Sequence, residues 1–160
     1  MSKPIFFFRK NQTYSELSNF APFRFEADGV QWPTVEHYFQ AQKFHDLGHR
    51  ERIRLAHSPA DAKKLGQSRK VPIRSDWEDV KETVMKAALR LKFANPGLRS
   101  LLLSTKTRML VEDSPYDRYW GIGRDGKGKN RLGILLMEIR DEIRGQSGLE
   151  NIGNIVMDRS

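Results

Sequence analysis

At 160 residues the chain is long enough to bury a core of its own as one domain. It contains no cysteine, which excludes disulfides, a thiol nucleophile and thiolate metal sites. Its net charge of +8 calls for an anionic partner but does not choose between nucleic acid and a phosphorylated small molecule.

No apolar run approaches the roughly 20 residues that span a bilayer. Near the start, Lys3, the short run Ile5 to Phe8 and then Arg9-Lys10 do not make a secretory leader. A soluble cytoplasmic protein without a membrane partner is expected. The charge is unevenly placed. Residues 43–92 hold thirteen Lys/Arg against seven Asp/Glu, and residues 118–131 hold five cations and one acid. The first group is spread over helices, where solvent accounts for it. The second sits in a glycine-rich stretch, where solvation explains less.

In chain order, Pro4 to Arg9 reads as a strand. Phe23 to Trp32 alternates apolar and polar residues around Asp28-Gly29, a hairpin signal. The pattern then turns helical. Pro33-Thr34 opens a segment that runs to Phe44, and Arg50 to His57 is short and amphipathic. Ser58-Pro59 has N-cap and N1 chemistry, with Gly66 as the expected stop. Ser75-Asp76-Trp77-Glu78 reads as a capping box, and Val80, Val84, Ala87, Ala88 and Leu91 as the buried stripe behind it. Asn95-Pro96 opens a helix with Leu98, Leu101, Leu102 and Leu103, and Arg108 to Val111 reads as a strand. Asn130 caps a last helix with Leu132, Leu135, Leu136, Ile139 and Ile143 inward. The expected fold is α+β: a helix-rich single domain over residues 1–145 with a small antiparallel sheet, followed by a tail at 146–160.

Two stretches carry chemistry. From Asp117 to Gly133 an acid and two aromatics, Tyr119 and Trp120, precede glycines that alternate with cations. Glycines let a backbone approach a ligand, and their amides bind anionic oxygen. Gly121 and Gly123 are therefore expected to contact a phosphate-bearing substrate, with Lys127, Lys129, Asn130 and Arg131 beside them. Trp120 is placed to stack on a base. Gly121 to Gly126 fits G-x-G-x-x-G literally. It lacks the apolar strand before it and the helix at its last glycine, so a dinucleotide fold is rejected. A plain surface turn is the simpler alternative.

In the second stretch, Trp32 to Phe44, helical spacing puts Glu36, Phe39, Gln40 and Lys43 on one face. The plain alternative is a solvated acid–lysine face. His37, His45, His49 and His57 have no metal-ligand spacing, so no metal is expected. Trp77 is either a core residue at a helix start or a stacking wall. Asp117 alone is a turn residue; with Glu36 it makes a carboxylate pair suited to an oxocarbenium-like transition state.

Together WPTVEHYFQAQKF (32–44), SNF (18–20), RSDWEDVKETVMKAALRLKF (74–93) and DRYWGIGRDGKGKNRLG (117–133) resemble the YbiA-like proteins of the NADAR (NAD- and ADP-ribose-associated) family. The resemblance spans roughly residues 5–145. It implies an N-glycosidase without metal or redox cofactor. The implied substrate is a phosphorylated ribosylaminopyrimidine of riboflavin synthesis, or an ADP-ribosylated guanine with nucleic acid as its carrier. It also implies Glu36 and Asp117 as the acids of the site, with Asn19 and Trp77 beside them. Read with the residues themselves, this makes Glu36 and Asp117 catalytic, Trp77 and Trp120 the lining of the base side and Lys43 a phosphate contact. The rival reading, from another class, is a non-catalytic binder of ADP-ribose, NAD derivatives or nucleic acid.

Overall fold

The computed structural model describes residues 2–10 and 12–157, with side chains up to residue 146. The chain forms two compact units, Ser15–Asn95 and Met1–Tyr14 with Pro96–Ser160. The composition is helix-rich α+β, as the sequence implies.

The Ser15–Asn95 unit starts with a single 3-10 turn, Ser15–Leu17, and a hairpin of β2 (Phe25–Ala27) and β3 (Val30–Trp32). The strands pair antiparallel, Phe25 opposite Trp32 and Ala27 opposite Val30. Asp28 and Gly29 both take positive φ, 55° and 75°, as a tight two-residue turn between twisted strands requires. Four helices follow: α1 (Val35–Ala41), α2 (Leu47–Arg54), α3 (Pro59–Gln67) and α4 (Trp77–Lys92). Helix α1 is the centre of the unit and packs on α2, α3, α4 and β3. All seven of its residues are buried. Leu17, Phe25, Phe44, Ile53, Ala62, Met85, Leu89 and Phe93 are buried in the same unit.

Several local expectations need correction here. Helix α2 starts at Leu47, three residues earlier than expected, because the Asp46 carboxylate accepts from His49 N at 2.7 Å. Ser58 caps α3 as expected, but Gly66 lies inside that helix rather than ending it. The capping box at α4 does not form. Asp76 is the N-cap and makes no side-chain cap bond, because its carboxylate holds the Arg74 guanidinium at 2.6 and 2.9 Å. Glu78 pairs with Lys81 instead. The buried stripe of α4 runs through Trp77, Met85, Ala88, Leu89 and Lys92, leaving Leu91 exposed and Val80, Val84 and Ala87 half-buried.

In the other unit, β1 (Ile5–Phe7) lies parallel to β4 (Leu110–Glu112), Ile5 opposite Leu110. Helices α5 (Pro96–Ser104) and α6 (Arg131–Met157) complete it. Helix α6 packs on β4 and α5. Its inward residues are the five read from the sequence: Leu132, Leu135, Leu136, Ile139 and Ile143. A buried cation interrupts this apolar set. Arg140 donates to the Thr105 hydroxyl and the Arg108 carbonyl, at 2.9 and 2.8 Å, tying α6 to the turn after α5. Residues 158–160 of the expected tail lie outside the described residues; the helix backbone is described through Met157. Among the described residues no helix is long and apolar enough to cross a membrane.

Candidate active site

Polar side chains on a fully buried helix need partners, and α1 supplies them from its own first turns. Thr34 is the N-cap; its hydroxyl accepts from His37 N at 3.1 Å. The same hydroxyl lies 2.8 Å from His37 Nδ1, while Nε2 sits 3.1 Å from the Ala56 carbonyl. A carbonyl only accepts, so Nε2 carries the proton and Nδ1 receives the hydroxyl. Burial lowers the pKa of His37, which keeps the ring neutral and makes it a structural tie between α1 and the end of α2.

Glu36 points elsewhere. It is 7% exposed, and Gln40 Nε2, one turn on, donates to its Oε1 at 2.7 Å. Its backbone N–H donates to the Asn19 carbonyl at 3.1 Å, so the Ser18-Asn19-Phe20 loop is held on the first turn of α1. Asn19 is itself buried. Its Nδ2 donates to Met85 Sδ at 3.5 Å and its Oδ1 has no hydrogen-bond partner. Lys43 extends the same face. Burial pulls its ammonium down to about 8, opposed by the Glu36 carboxylate, while Arg69 and Lys63 push in the same direction as burial. Its Nζ lies 5.9 Å from the centre of the Phe39 ring, and Phe39 packs on Trp77 with ring centres 5.0 Å apart. Trp77 is only 6% exposed, so the helix-start core role read as its plain alternative is present in the structure.

Sequence reasoning missed one residue here. Lys92 is 1% exposed and donates from Nζ to the Ser18 carbonyl at 2.8 Å, beside the rings of Phe23 and Phe93. Burial draws its pKa down to about 7, with Glu16 favouring the charged form. It pins the Asn19 loop from below. The signal was available: Lys92 is in phase with Met85, Ala88 and Leu89.

In the other unit, the stretch from Asp117 to Arg131 joins β4 to α6. Asp117 Oδ1 accepts from the backbone N–H of both Tyr119 and Trp120 at 2.8 Å, a side-chain turn that sets the two aromatics edge to face. Three of the glycine amides bond within the loop and are not offered to a ligand. Gly123 N donates to the Ser114 carbonyl, Gly126 N to Gly123, Gly128 N to Ile122, Lys129 N to Arg118 and Arg131 N to Tyr119. The expected phosphate contact through the Gly123 amide is therefore corrected: its N–H and those of Gly126 and Gly128 fold the loop onto itself. Gly128 is glycine because a Cβ there would lie 2.6 Å from the Ile122 carbonyl carbon. Asn130 also serves the fold. It is buried, its Oδ1 accepts from Glu112 N and its Nδ2 donates to the Leu110 carbonyl, both at 2.9 Å. Its amide thus completes the hydrogen bonding of β4 and does not cap α6. The loop keeps side-chain charge: Lys127 and Lys129 are exposed, and Lys129 Nζ lies 5.4 Å from the Tyr119 ring centre. Arg118 pairs with Asp125 at 3.1 Å.

Asn19, Glu36, Lys43 and Trp77 thus gather around α1 in one unit, and Asp117, Trp120, Gly121, Gly123, Lys127, Lys129, Asn130 and Arg131 belong to the other. Among the described residues no group of three or more His, Cys, Asp or Glu could hold a metal ion.

The sequence matches the NADAR domain over residues 6–144. The chain belongs to the NADAR family. Within it, the chain is 51% identical over 138 residues to N-glycosidase YbiA of Escherichia coli (strain K12), covering 86% of each. It is 41% identical to riboflavin biosynthesis protein PYRR, chloroplastic, of Zea mays, over 88% of this chain and 25% of that protein. The NMR structure of E. coli YbiA superposes with a TM-score of 0.84 at 49% identity, covering 91% of this chain and 87% of that one. The NADAR match runs through both units, and the helix-rich fold is the one seen in that relative.

Proposed function

We propose that this NADAR protein is an N-glycosidase, a hydrolase that cleaves the N-glycosyl bond of a phosphorylated ribosyl substrate. The observation that carries the reading is the Glu36 carboxylate, buried on α1, oriented by Gln40 and neighboured by the partly desolvated Lys43. A binding module for phosphate has no use for a carboxylate held in that way. The name of the E. coli relative supports the same class of reaction.

Cleavage of a ribosyl C–N bond passes through a cation-like sugar, and a fixed carboxylate in a poorly solvated place stabilises that charge strongly. Water adds its oxygen to the anomeric carbon as the C–N bond breaks, and Glu36 takes one proton from that water. The leaving nitrogen keeps the bonding pair and takes up a proton from solvent, to which Glu36 later returns its own. Asn19 and Lys43 contact the ribosyl phosphate on this reading, and the Phe39–Trp77 pair backs the face. Taken by itself, the loop of the other unit offers charge for phosphate through Lys127, Lys129 and Arg131 and a ring for a base through Trp120. Asp117 acts by shaping the loop, because its Oδ1 already holds the Tyr119 and Trp120 amides.

Between the two substrates, a phosphorylated ribosylaminopyrimidine is favoured. The relative from Zea mays is named for riboflavin biosynthesis, and the exposed cations of the loop suit a single phosphate group. A cytoplasmic location goes with a phosphorylated metabolite as substrate. An ADP-ribosylated guanine in nucleic acid is the second reading, supported by the net charge of +8. Incubation with each substrate and measurement of the released sugar phosphate tests both. Saturable binding with no sugar released from either would support the non-catalytic binder instead.

A further inference from the structure

We propose that Gly66 is a positioning residue for the reaction, which sets the Glu36 carboxylate through Gln40. The inference rests on the assignment of Glu36 above. Gly66 lies in the last turn of α3, buried, with no positive φ. Its backbone is ordinary helix, so conformation does not call for glycine, and glycine is among the poorest helix formers. Space does call for it. A Cβ at this position would lie 2.9 Å from Gln40 Cβ and 2.7 Å from Gln40 Cδ, and nearer still to Oε1.

The contact fixes which way the Gln40 amide faces. Its Oε1 is buried against Gly66 and has no hydrogen-bond partner, so its Nε2 is left to donate to Glu36. The reverse orientation would set an amide oxygen against a carboxylate oxygen. The Gly66 carbonyl is occupied by Arg69 Nη1 at 2.9 Å, so it does not compete for the amide. α3 therefore reaches the acid without touching it: glycine makes room, Gln40 fills the room, and Glu36 receives its donor. A methyl group at 66 forces the end of Gln40 to move, and the Glu36 hydrogen bond is lost with it.

The test is a double-mutant cycle on turnover and thermal stability with Gly66→Ala, Gln40→Ala and both together. Gly66→Ala is expected to lower kcat roughly tenfold, the order expected from one lost hydrogen bond to a charged group, with KM little changed. A hydrogen bond to the ionised carboxylate favours that form, so its loss raises the pKa of the acid. The acid limb of the kcat–pH profile should move to higher pH in Gly66→Ala and in Gln40→Ala. In the Gln40→Ala background, where Cδ and Oε1 are gone and only the Cβ contact at 2.9 Å remains, Gly66→Ala should add little further loss of kcat and no shift of the profile. An equal loss in both backgrounds, or an unmoved acid limb in Gly66→Ala, overturns the proposal. Should Gly66→Ala alone fail to fold, the double variant should fold and match Gln40→Ala; failure of both to fold also overturns it. Glu36→Gln, measured alongside, separates the two claims. Full turnover in Glu36→Gln refutes the role of Glu36. In that event the stability cycle still tests the Gly66–Gln40 coupling by itself.

Discussion

Gln40 Nε2 donates to Glu36 Oε1 at 2.7 Å, from one turn further along a helix on which every residue is buried. An acid in that position is expensive for the fold, since burying a carboxylate costs stability unless it is hydrogen-bonded. The Gln40 amide gives it one hydrogen bond from the same helix and orients the carboxylate without bringing a charge of its own. The chemistry proposed above follows from that choice, and so do the following expectations.

Asp117 and Glu36 should respond differently to loss of charge. Asp117→Asn keeps an acceptor for the Tyr119 and Trp120 amides, so it should retain most turnover. Asp117→Ala removes the acceptor and should destabilise the loop by about 1–2 kcal/mol, on the scale of a lost side-chain cap. Kinetics and thermal unfolding of both variants decide the matter. A loss in Asp117→Asn as deep as that in Glu36→Gln would give Asp117 a chemical role of its own.

Lys127 and Lys129 should govern affinity more than rate. The amides of Gly123, Gly126 and Gly128 are bound within the loop, so on the proposed reading the loop meets phosphate through these exposed side chains. Lys127→Gln with Lys129→Gln should raise KM about tenfold at low salt and less at high salt, as screening removes the same attraction. A kcat that falls while KM and its salt dependence stay fixed would contradict this.

Lys92 should make stability rise with pH. Its pKa in the folded protein, about 7, lies below the 10.5 of an ordinary lysine, so between those values the unfolded chain holds more protons. Stability contributed by this group therefore rises from about pH 7 toward 10.5, and below pH 7 the full penalty of the buried charge is present. Lys43, drawn down to about 8, adds in the same direction. Lys92→Met should flatten most of the rise in a melting series from pH 6 to 10, a span on the order of the lysine range. It should also loosen the Ser18–Asn19 loop, whose carbonyl Lys92 holds. An unchanged slope would show that the charge is not buried in solution.

Much of the fold was legible from the sequence because local chemistry and packing agree. Asp28-Gly29 turns as those residues do in hairpins, Ser58-Pro59 starts α3, and the apolar period of α6 is the buried one. The failures have one character: a side chain with a second partner. Asp76 would belong to the helix start but is held by Arg74. The stripe of α4 was read one step out of phase because apolarity was the criterion, and one of its buried residues is Lys92. Glu36 stood out as an acid on a semi-apolar face, and the structure buries it. The glycine loop misled because composition shows that amides can approach a ligand but not that neighbouring carbonyls have taken them. Gly66 misled in the same way; a stop by rule, it is a spacer because Gln40 lies across from it.

The most direct test of the account is Glu36→Gln, which keeps the shape and the burial of the side chain and removes its charge. Release of ribose phosphate from the phosphorylated ribosylaminopyrimidine should fall by roughly 10²–10⁴-fold, the usual worth of a positioned acid or base, with the melting temperature nearly unchanged. A folded Glu36→Gln protein that turns over at close to the parent rate would contradict the central claim.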